Sequence, residues 1–462
     1  MINSAEMFFN SLKDKKIALI GFGVSHIDLA RLLIEKGLDV TVCDKRDMSQ
    51  LEEKLVGFDT KKLNFELGES YLDNICNYDI IFRTPGMKFY TPELTKAIEK
   101  GCVVTSEMEV FFDLCPCKTI AVTGSDGKTT TTTLISEMLK KQGYTVHLGG
   151  NIGRALLPII ETITPDDFAV VELSSFQLIS MRKSPDVAVV TNLAPNHLDM
   201  HKDMQEYIDS KKNIFLHQNA FSKTVLNADN DITMSFSTLT RGKTVYFSRN
   251  SKVDKGTYLN QSGNLVLNSG YTSTELFNKD DIRIPGMHNV ENFLAAIAAV
   301  SDFVTPETMH EVAKNFGGVE HRIEFVRELD GVKWYNDSIA TSPTRAIAGL
   351  ISFGKPIVLI AGGYDKKIPF EPLVPYILKY VKKLVLCGAT AQKIEDAVRS
   401  SSEYNGFPEI IRASDIPEAV KAAKEVSIEG DIVSLSPASA SFDCYPNFEE
   451  RGKHFKKLVS EL

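Results

Sequence analysis

The densest chemical signal in the chain is Gly124-Ser125-Asp126-Gly127-Lys128-Thr129-Thr130, which follows one apolar run and opens a helical one. Glycines at this spacing let successive backbone N–H groups turn toward one anion, and the new helix adds its positive end. Lys128 can then reach the outer phosphates of a nucleoside triphosphate, and the Thr129 hydroxyl can ligate magnesium. The loop is shorter than the usual phosphate loop, in which four residues separate the two glycines. An ordinary glycine turn would leave the Lys-Thr-Thr run unexplained, so the reading is nucleoside triphosphate binding.

Acidic and imidazole groups follow the loop. Glu172 ends the apolar run Phe168–Glu172, which puts a carboxylate at the carboxyl end of a buried strand. In open α/β sheets that end faces the ligand crevice. His197 and Asp199 come just after a second run, Val187–Thr191. Magnesium needs few protein ligands, because phosphates and waters fill the rest of its shell, so Glu172 and His197 are candidate ligands. Nearer the N-terminus, Gly21-Phe22-Gly23 ends the run Lys16–Ile20, and Asp44 stands where a ribose-binding acid is expected. His26 occupies the place of the third glycine of a dinucleotide fingerprint. That turn reads either as a site for a nucleotide-like anion or as a bare fold turn, and it argues against NAD.

The elements that must carry these groups form three α/β domains in series. In residues 1–115, a strand (Lys16–Ile20), a glycine turn, a helix with Leu29, Leu32 and Leu33 on one face, and a strand (Leu38–Asp44) make one βαβ unit. Strands at Tyr78–Phe82 and Cys102–Thr105, with a helix at Thr91–Lys100, complete a Rossmann-like domain. Residues 116–318 read as a central mononucleotide-binding sheet with strands Lys118–Val122, Phe168–Glu172 and Val187–Thr191. A helix at Thr133–Gln142, a small antiparallel patch at Thr244–Ser248 and Asn264–Leu267, and a helix at Asn289–Val300 follow. Gly317-Gly318 marks a hinge. Residues 319–462 read as a second Rossmann-like domain, with strands at Lys333–Tyr335, Pro356–Ala361, Lys383–Cys387 and Asp431–Ser436.

Composition narrows the function class. The 462 residues are 43% hydrophobic and 24% charged, ordinary for globular domains with real cores, and show neither low-complexity tracts nor a fixed repeat. With 52 basic and 60 acidic residues the net charge is −8, which argues against nucleic acid as a partner. No run of 18 apolar residues is present to span a bilayer, and the first residues lack the basic-then-apolar pattern of a signal peptide. Seven scattered cysteines lack zinc spacing and read as reduced and structural. The expectation is a cytoplasmic, monomeric protein that touches no membrane. From the residues alone, an NAD-dependent oxidoreductase and a nucleotide-gated binding module are the rival classes.

The segments GSDGKTT, ELSSFQL, TNLAPNHLD, GMHNVEN, EHRIEF, NDSIATSP and SPASASFD, in this order, resemble the Mur ligase family. These ATP-dependent enzymes add amino acids to the peptidoglycan precursor. ELSSFQL and SPASASFD are similar to the branch that adds D-glutamate. The resemblance leaves residues 222–281 unsupported. A sister ligase adding another amino acid, or a folylpolyglutamate synthase-like ligase, would share the loop.

The resemblance implies roles for named residues. Gly23, Val24 and Ser25 would hold the diphosphate of UDP-N-acetylmuramoyl-L-alanine, Asp44 and Arg46 would lie near its uracil, and Thr84, Gly86, Asn151 and His197 would complete that site. Lys128 and Thr129 would hold ATP and magnesium, with Glu172 on a first ion, His197 on a second, and Lys211 carbamylated as a further oxygen ligand. Asn289 and Asn292 would lie near the adenine, and Arg322 and Asp337 would face ATP. Thr341, Lys366, Ser441, Phe442 and Phe448 would hold D-glutamate. The implied reaction runs through an acyl phosphate, with Asp337 or His197 accepting the proton of the attacking amine. Two residues depart from the family pattern: Asp126 stands where most members have asparagine, and Ile339 where several D-glutamate-adding enzymes have lysine.

Overall fold

Lys16–Ile20 is buried at four of its five positions and lies at the centre of a five-stranded, all-parallel sheet. The order across it is Asn64–Leu67, Asp39–Asp44, Lys16–Ile20, Ile80–Arg83, Val103–Thr105. Strands covered on both faces read as unbroken apolar runs, which is why the inner three are plain in the sequence. Asn64–Leu67, a half-exposed edge, is not. The computed structural model describes residues 4–194 and 201–462, and of Val24 the backbone alone.

A nine-stranded sheet follows. Its order is Ser273–Asn278, Asn264–Asn268, Gly256–Leu259, Lys243–Ser248, Lys223–Asn227, Val187–Val190, Lys118–Thr123, Phe168–Glu172, Val146–Gly150. Lys118–Thr123 pairs in parallel with Phe168–Glu172 on one side and Val187–Val190 on the other. The chain order reverses there, and such switch points open a crevice at the carboxyl ends of the strands.

The expected small antiparallel patch is corrected in part, since Asn264–Asn268 does pair antiparallel with both its neighbours but Lys243–Ser248 does not. Lys243–Ser248 extends the central sheet, parallel to Lys223–Asn227 and to Gly256–Leu259; only the last three strands run antiparallel. The bridging strand Lys223–Asn227 escapes a pattern search because it is polar in sequence yet buried throughout. Each polar group is satisfied: Lys223 Nζ donates to the carbonyls of Ala298 and Ala299, Thr224 to Gln218 Oε1, and Asn227 to Thr191 O.

The chain divides into two compact units, residues 1–279 with 291–312, and residues 280–290 with 313–462. In the second, a six-stranded sheet runs Glu324–Leu329, Val332–Asn336, Ile432–Leu435, Ile357–Ala361, Val381–Leu386, Glu409–Arg412, parallel except for its first pair. That first pair is a hairpin turned at Asp330-Gly331, both at positive φ, as a two-residue loop requires. Among the described residues no helix is long and apolar enough to cross a membrane.

Candidate active site

The strand Lys118–Thr123 ends at Gly124, and the helix Lys128–Gln142 starts straight after Gly127. Gly127 has φ of +77°, and a Cβ there would lie 2.4 Å from Asn292 Oδ1, so neither backbone nor space admits a side chain. The loop is laced to the neighbouring strand end. Asp126 N donates to Asn192 Oδ1 at 3.0 Å, and Asp126 O accepts from Thr191 Oγ1 at 2.6 Å. Ser125 Oγ donates to Ala194 O at 2.9 Å and meets the Tyr207 hydroxyl at 2.9 Å. Asp126 itself is exposed, so its backbone and not its carboxylate shapes the loop. Lys128 Nζ donates to Ser125 O at 2.9 Å, which holds its charge over the cradle.

Four side chains converge beside this loop. Thr129 Oγ1 donates to Glu172 Oε2 at 2.7 Å, and Asn151 Nδ2 donates to Glu172 Oε1 at 2.8 Å. Lys211, on the helix Met204–Leu216, is 2% exposed and donates to Thr123 Oγ1 at 3.0 Å and Gly124 O at 2.9 Å. Burial first, then the charge of Lys128, pushes the Lys211 amine well below the ordinary lysine range, against the pull of Glu172. Lys212, by contrast, pairs with Asp209 at 2.7 Å. The set offers hydroxyl and carboxylate oxygens to a hard cation. His197 and the side chain of Val24 lie outside the described residues.

The segment after Glu172 is tied from several directions. Ser174 caps the short helix Ser175–Leu178 in a capping box with Gln177. Buried Arg83, from the first sheet, donates to Phe176 O at 2.7 Å and to Ser180 Oγ at 2.9 Å. His201 Nε2 meets Ser175 Oγ at 2.8 Å, and its Nδ1 meets Glu206 at 3.2 Å. Sequence reasoning gave no role to Arg83, His201 or Tyr207 and named Thr191 and Asn192 only within TNLAPNHLD, since nothing in spacing marks a residue whose partner lies in another element.

The first sheet presents its own crevice. A cavity of about 330 Å³ is lined by Gly23, Ser25, Arg83, Thr84, Glu107 and Asn151 among others. The turn above it is tight: Gly21 has φ of +79°, and a Cβ there would meet the Thr84 methyl at 3.0 Å. His26, in the third-glycine position, is 1% exposed and its Nδ1 meets Gly21 O at 2.8 Å. Burial brings His26 down to about 4, so it is neutral and Nδ1 carries the donated proton. Asp44 is already occupied. It accepts from Phe22 N at 2.7 Å and from Arg46 Nη2 at 2.6 Å. Burial opposes its charge, but these bonds outweigh burial and hold it at about 2. Gly86 follows Thr84 in the adjoining turn, which Met87 N closes onto Thr84 O at 3.1 Å.

On the helix Met287–Val300, Asn292 Oδ1 accepts from Thr131 Oγ1 at 3.3 Å and Asn289 Nδ2 donates to Pro285 O at 2.6 Å. Thr130 lies buried in the loop helix.

In the second unit, Asp337 is 3% exposed, accepting from Ser436 Oγ at 2.8 Å and Ile323 N at 3.2 Å. Burial pushes its carboxyl up to about 7. Arg322 is half-buried one residue before Ile323. Lys366 Nζ donates to Thr341 Oγ1 at 3.4 Å. Ser441 is buried, and Phe442 is exposed with its ring 5.8 Å from Tyr364. Phe448 opens the last helix, its ring edge-on to His321 at 5.9 Å. Buried Arg451, unmarked in the sequence, donates to the carbonyls of Ser338, Ser439 and Ala440 and so fastens the two loops that carry these residues.

The chain matches known families along nearly its whole length. Residues 15–106 match the N-terminal domain of MurD-like Mur ligases, residues 122–300 the Mur ligase middle domain, and residues 321–439 the Mur ligase glutamate ligase domain. It is 55% identical to the UDP-N-acetylmuramoylalanine–D-glutamate ligase of Acetivibrio thermocellus and 50% identical to that of Clostridium acetobutylicum, with 98% of each chain covered in both cases. A solved UDP-N-acetylmuramate-alanine ligase from Thermotoga maritima shares the fold with a TM-score of 0.57 at 18% identity, over 97% of this chain and 99% of that one. A pseudomurein peptide ligase type C from Methanothermus fervidus does so with a TM-score of 0.52, over 97% and 100%.

Proposed function

The chain belongs to the Mur ligase family, and on that premise we propose that it joins D-glutamate to UDP-N-acetylmuramoyl-L-alanine, driven by ATP, during synthesis of the peptidoglycan precursor. The observation that carries the chemistry is the convergence of Thr129, Glu172, Asn151 and Lys211 on the loop that presents Lys128. The relatives' substrate supplies the rest of the reading.

A free carboxylate resists an amine because its leaving group would be oxide. Phosphoryl transfer from ATP to the alanyl carboxylate makes an acyl phosphate; the amine of D-glutamate adds to its carbon, and phosphate leaves from the tetrahedral intermediate. The protein's part in the first step is positioning and charge neutralisation, by Lys128 and the backbone N–H groups of the loop. Thr129, Glu172 and His197 would hold magnesium, two ions in all, whose charge would neutralise the phosphates. Lys211 fits this set only as an oxygen ligand, since an ammonium would repel the ions. Burial and the charge of Lys128 disfavour its ammonium form; the unprotonated amine is a nucleophile for carbon dioxide, and the resulting carbamate has the oxygens required. Asp337, poised near neutrality by burial, takes the proton of the amine.

The proposed division of labour follows the sheets: residues 1–115 for the uridine nucleotide, 116–318 for ATP, 319–462 for D-glutamate. Gly23, Ser25, Thr84 and Asn151 share the cavity at the switch point of the first sheet, which supports the first of these. Arg345 Nη1 donates to Ile339 O at 3.2 Å, so a cation stands beside the position where relatives carry lysine. The protein is proposed to work as a monomer in the cytoplasm, without nucleic acid or membrane.

The test is phosphate release with UDP-N-acetylmuramoyl-L-alanine and ATP, offering D-glutamate, L-glutamate, L-alanine, meso-diaminopimelate and L-lysine in parallel. Turnover with D-glutamate alone is expected. Preference for another amino acid overturns the specificity and leaves a sister ligase.

A further inference from the structure

Two of the seven cysteines share one tripeptide. Cys115-Pro116-Cys117 is the whole connection between the helix Glu107–Leu114 and the strand Lys118–Thr123, which feeds the phosphate loop. The backbone at Cys115 is extended, with φ −60° and ψ 120°, as a following proline requires. In extended chain, residues two apart project to the same side. The two sulfurs accordingly stand 3.5 Å apart, one S–H bonded to the other sulfur. Cys117 is buried and Cys115 is partly exposed, so Cys115 is the more open of the two to solvent.

The geometry points to a redox-active dithiol, an oxidation site for peroxides at which Cys115 is the attacking thiol and Cys117 the resolving one. Cys115 sulfur attacks one peroxide oxygen, the O–O bond breaks, and hydroxide leaves with a sulfenic acid on Cys115. Cys117 sulfur then attacks the Cys115 sulfur; the S–O bond breaks, water leaves, and the S–S bond forms. Two thiols thus give two electrons and two protons to one hydrogen peroxide, yielding one disulfide and two waters. A disulfide of about 2.05 Å asks the sulfurs to close by only about 1.5 Å.

The electrostatics run the same way. The hydrogen bond from Cys117 holds the Cys115 thiol below its ordinary range, while the same contact and burial raise Cys117. Cys444 is exposed, but its thiol is raised by desolvation and by Asp443. Cys102 directs its sulfur to Cys76 O at 3.6 Å, and its thiol too is raised by desolvation. Partial exposure and a lowered thiol coincide at Cys115.

The experiment titrates the full-length protein with hydrogen peroxide, alkylates the remaining thiols, and maps the peptides by mass. The expected result is a peptide holding Cys115 and Cys117 that has lost two hydrogens, about 2 Da, before Cys444 is modified, and that regains them with dithiothreitol. Cys117→Ser should trap Cys115 as a sulfenic acid captured by dimedone, and Cys115→Ser should leave Cys117 unmodified. The proposal is overturned if both thiols remain alkylatable at peroxide that oxidises Cys444, if the bond formed is between Cys76 and Cys102 alone, or if Cys117 oxidises equally fast in Cys115→Ser. The wild-type map decides by itself should either variant fail to fold.

Discussion

Lys211 donates to Gly124 O, the carbonyl at which the central strand becomes the phosphate loop. A buried amine thus hangs from the hinge of the cradle, 2% exposed and with its proton affinity depressed. Lys211→Ala should abolish ligase turnover. Short carboxylic acids added to the assay should restore part of it, by supplying the oxygens of the proposed carbamate. Lys212→Ala, which removes only a partly exposed pair with Asp209, should leave turnover within about twofold. The reverse pattern would move the carbamate assignment by one residue.

Lys128→Ala should lower kcat by about 10²–10³ or more, since removing one electrostatic stabiliser of a transition state costs about 3–4 kcal/mol. Single-turnover phosphate release measures it. Activity within about tenfold of wild type would reduce the loop to a fold turn.

Asp337 titrates near 7 in the fold because burial disfavours its charge, against about 4 in an unfolded chain. The folded state therefore holds a proton that the unfolded state has released between pH 4 and 7. Stability is lost as pH rises through that window, by up to about 1.4 kcal/mol for each pH unit. Asp337→Asn, neutral throughout, should gain on wild type in melting temperature from pH 4.5 to pH 7.5. Parallel melting curves for the two proteins across that range would show that the carboxyl titrates normally.

Arg345 Nη1 donates to Ile339 O at 3.2 Å, which brings a cation beside Ile339. Arg345→Met should raise KM for D-glutamate by about tenfold or more, the worth of one charged hydrogen bond to a carboxylate. KM for ATP should stay unchanged. Initial-rate kinetics in both substrates separate the two, and an unchanged KM for D-glutamate would remove Arg345 from that site.

Much of the protein is legible in its amino-acid order alone, and the reason is local chemistry. The phosphate loop needs glycines, a lysine and a threonine in contiguous chain, so GSDGKTT declares itself. Buried parallel strands read as apolar runs, so Lys16–Ile20, Phe168–Glu172 and Ile357–Ala361 are plain. Lys223–Asn227 is not, since its polar residues are satisfied by partners as distant in the chain as Ala298, Ala299 and Asp302. Nor is the strand Glu324–Leu329, despite the Asp330-Gly331 turn that closes its hairpin. What only the tertiary structure decides is burial and convergence. Lys211 and Lys212 are adjacent lysines on one helix, and packing alone makes one a buried amine with depressed proton affinity beneath the loop and the other a partly exposed ion pair. Arg83 and Arg451 carry no motif, yet each fastens segments far apart in the chain. Arg83 does so through Nη2 alone and Arg451 through all three of its nitrogens, because a guanidinium taken from water gains most where the fold brings acceptors to it.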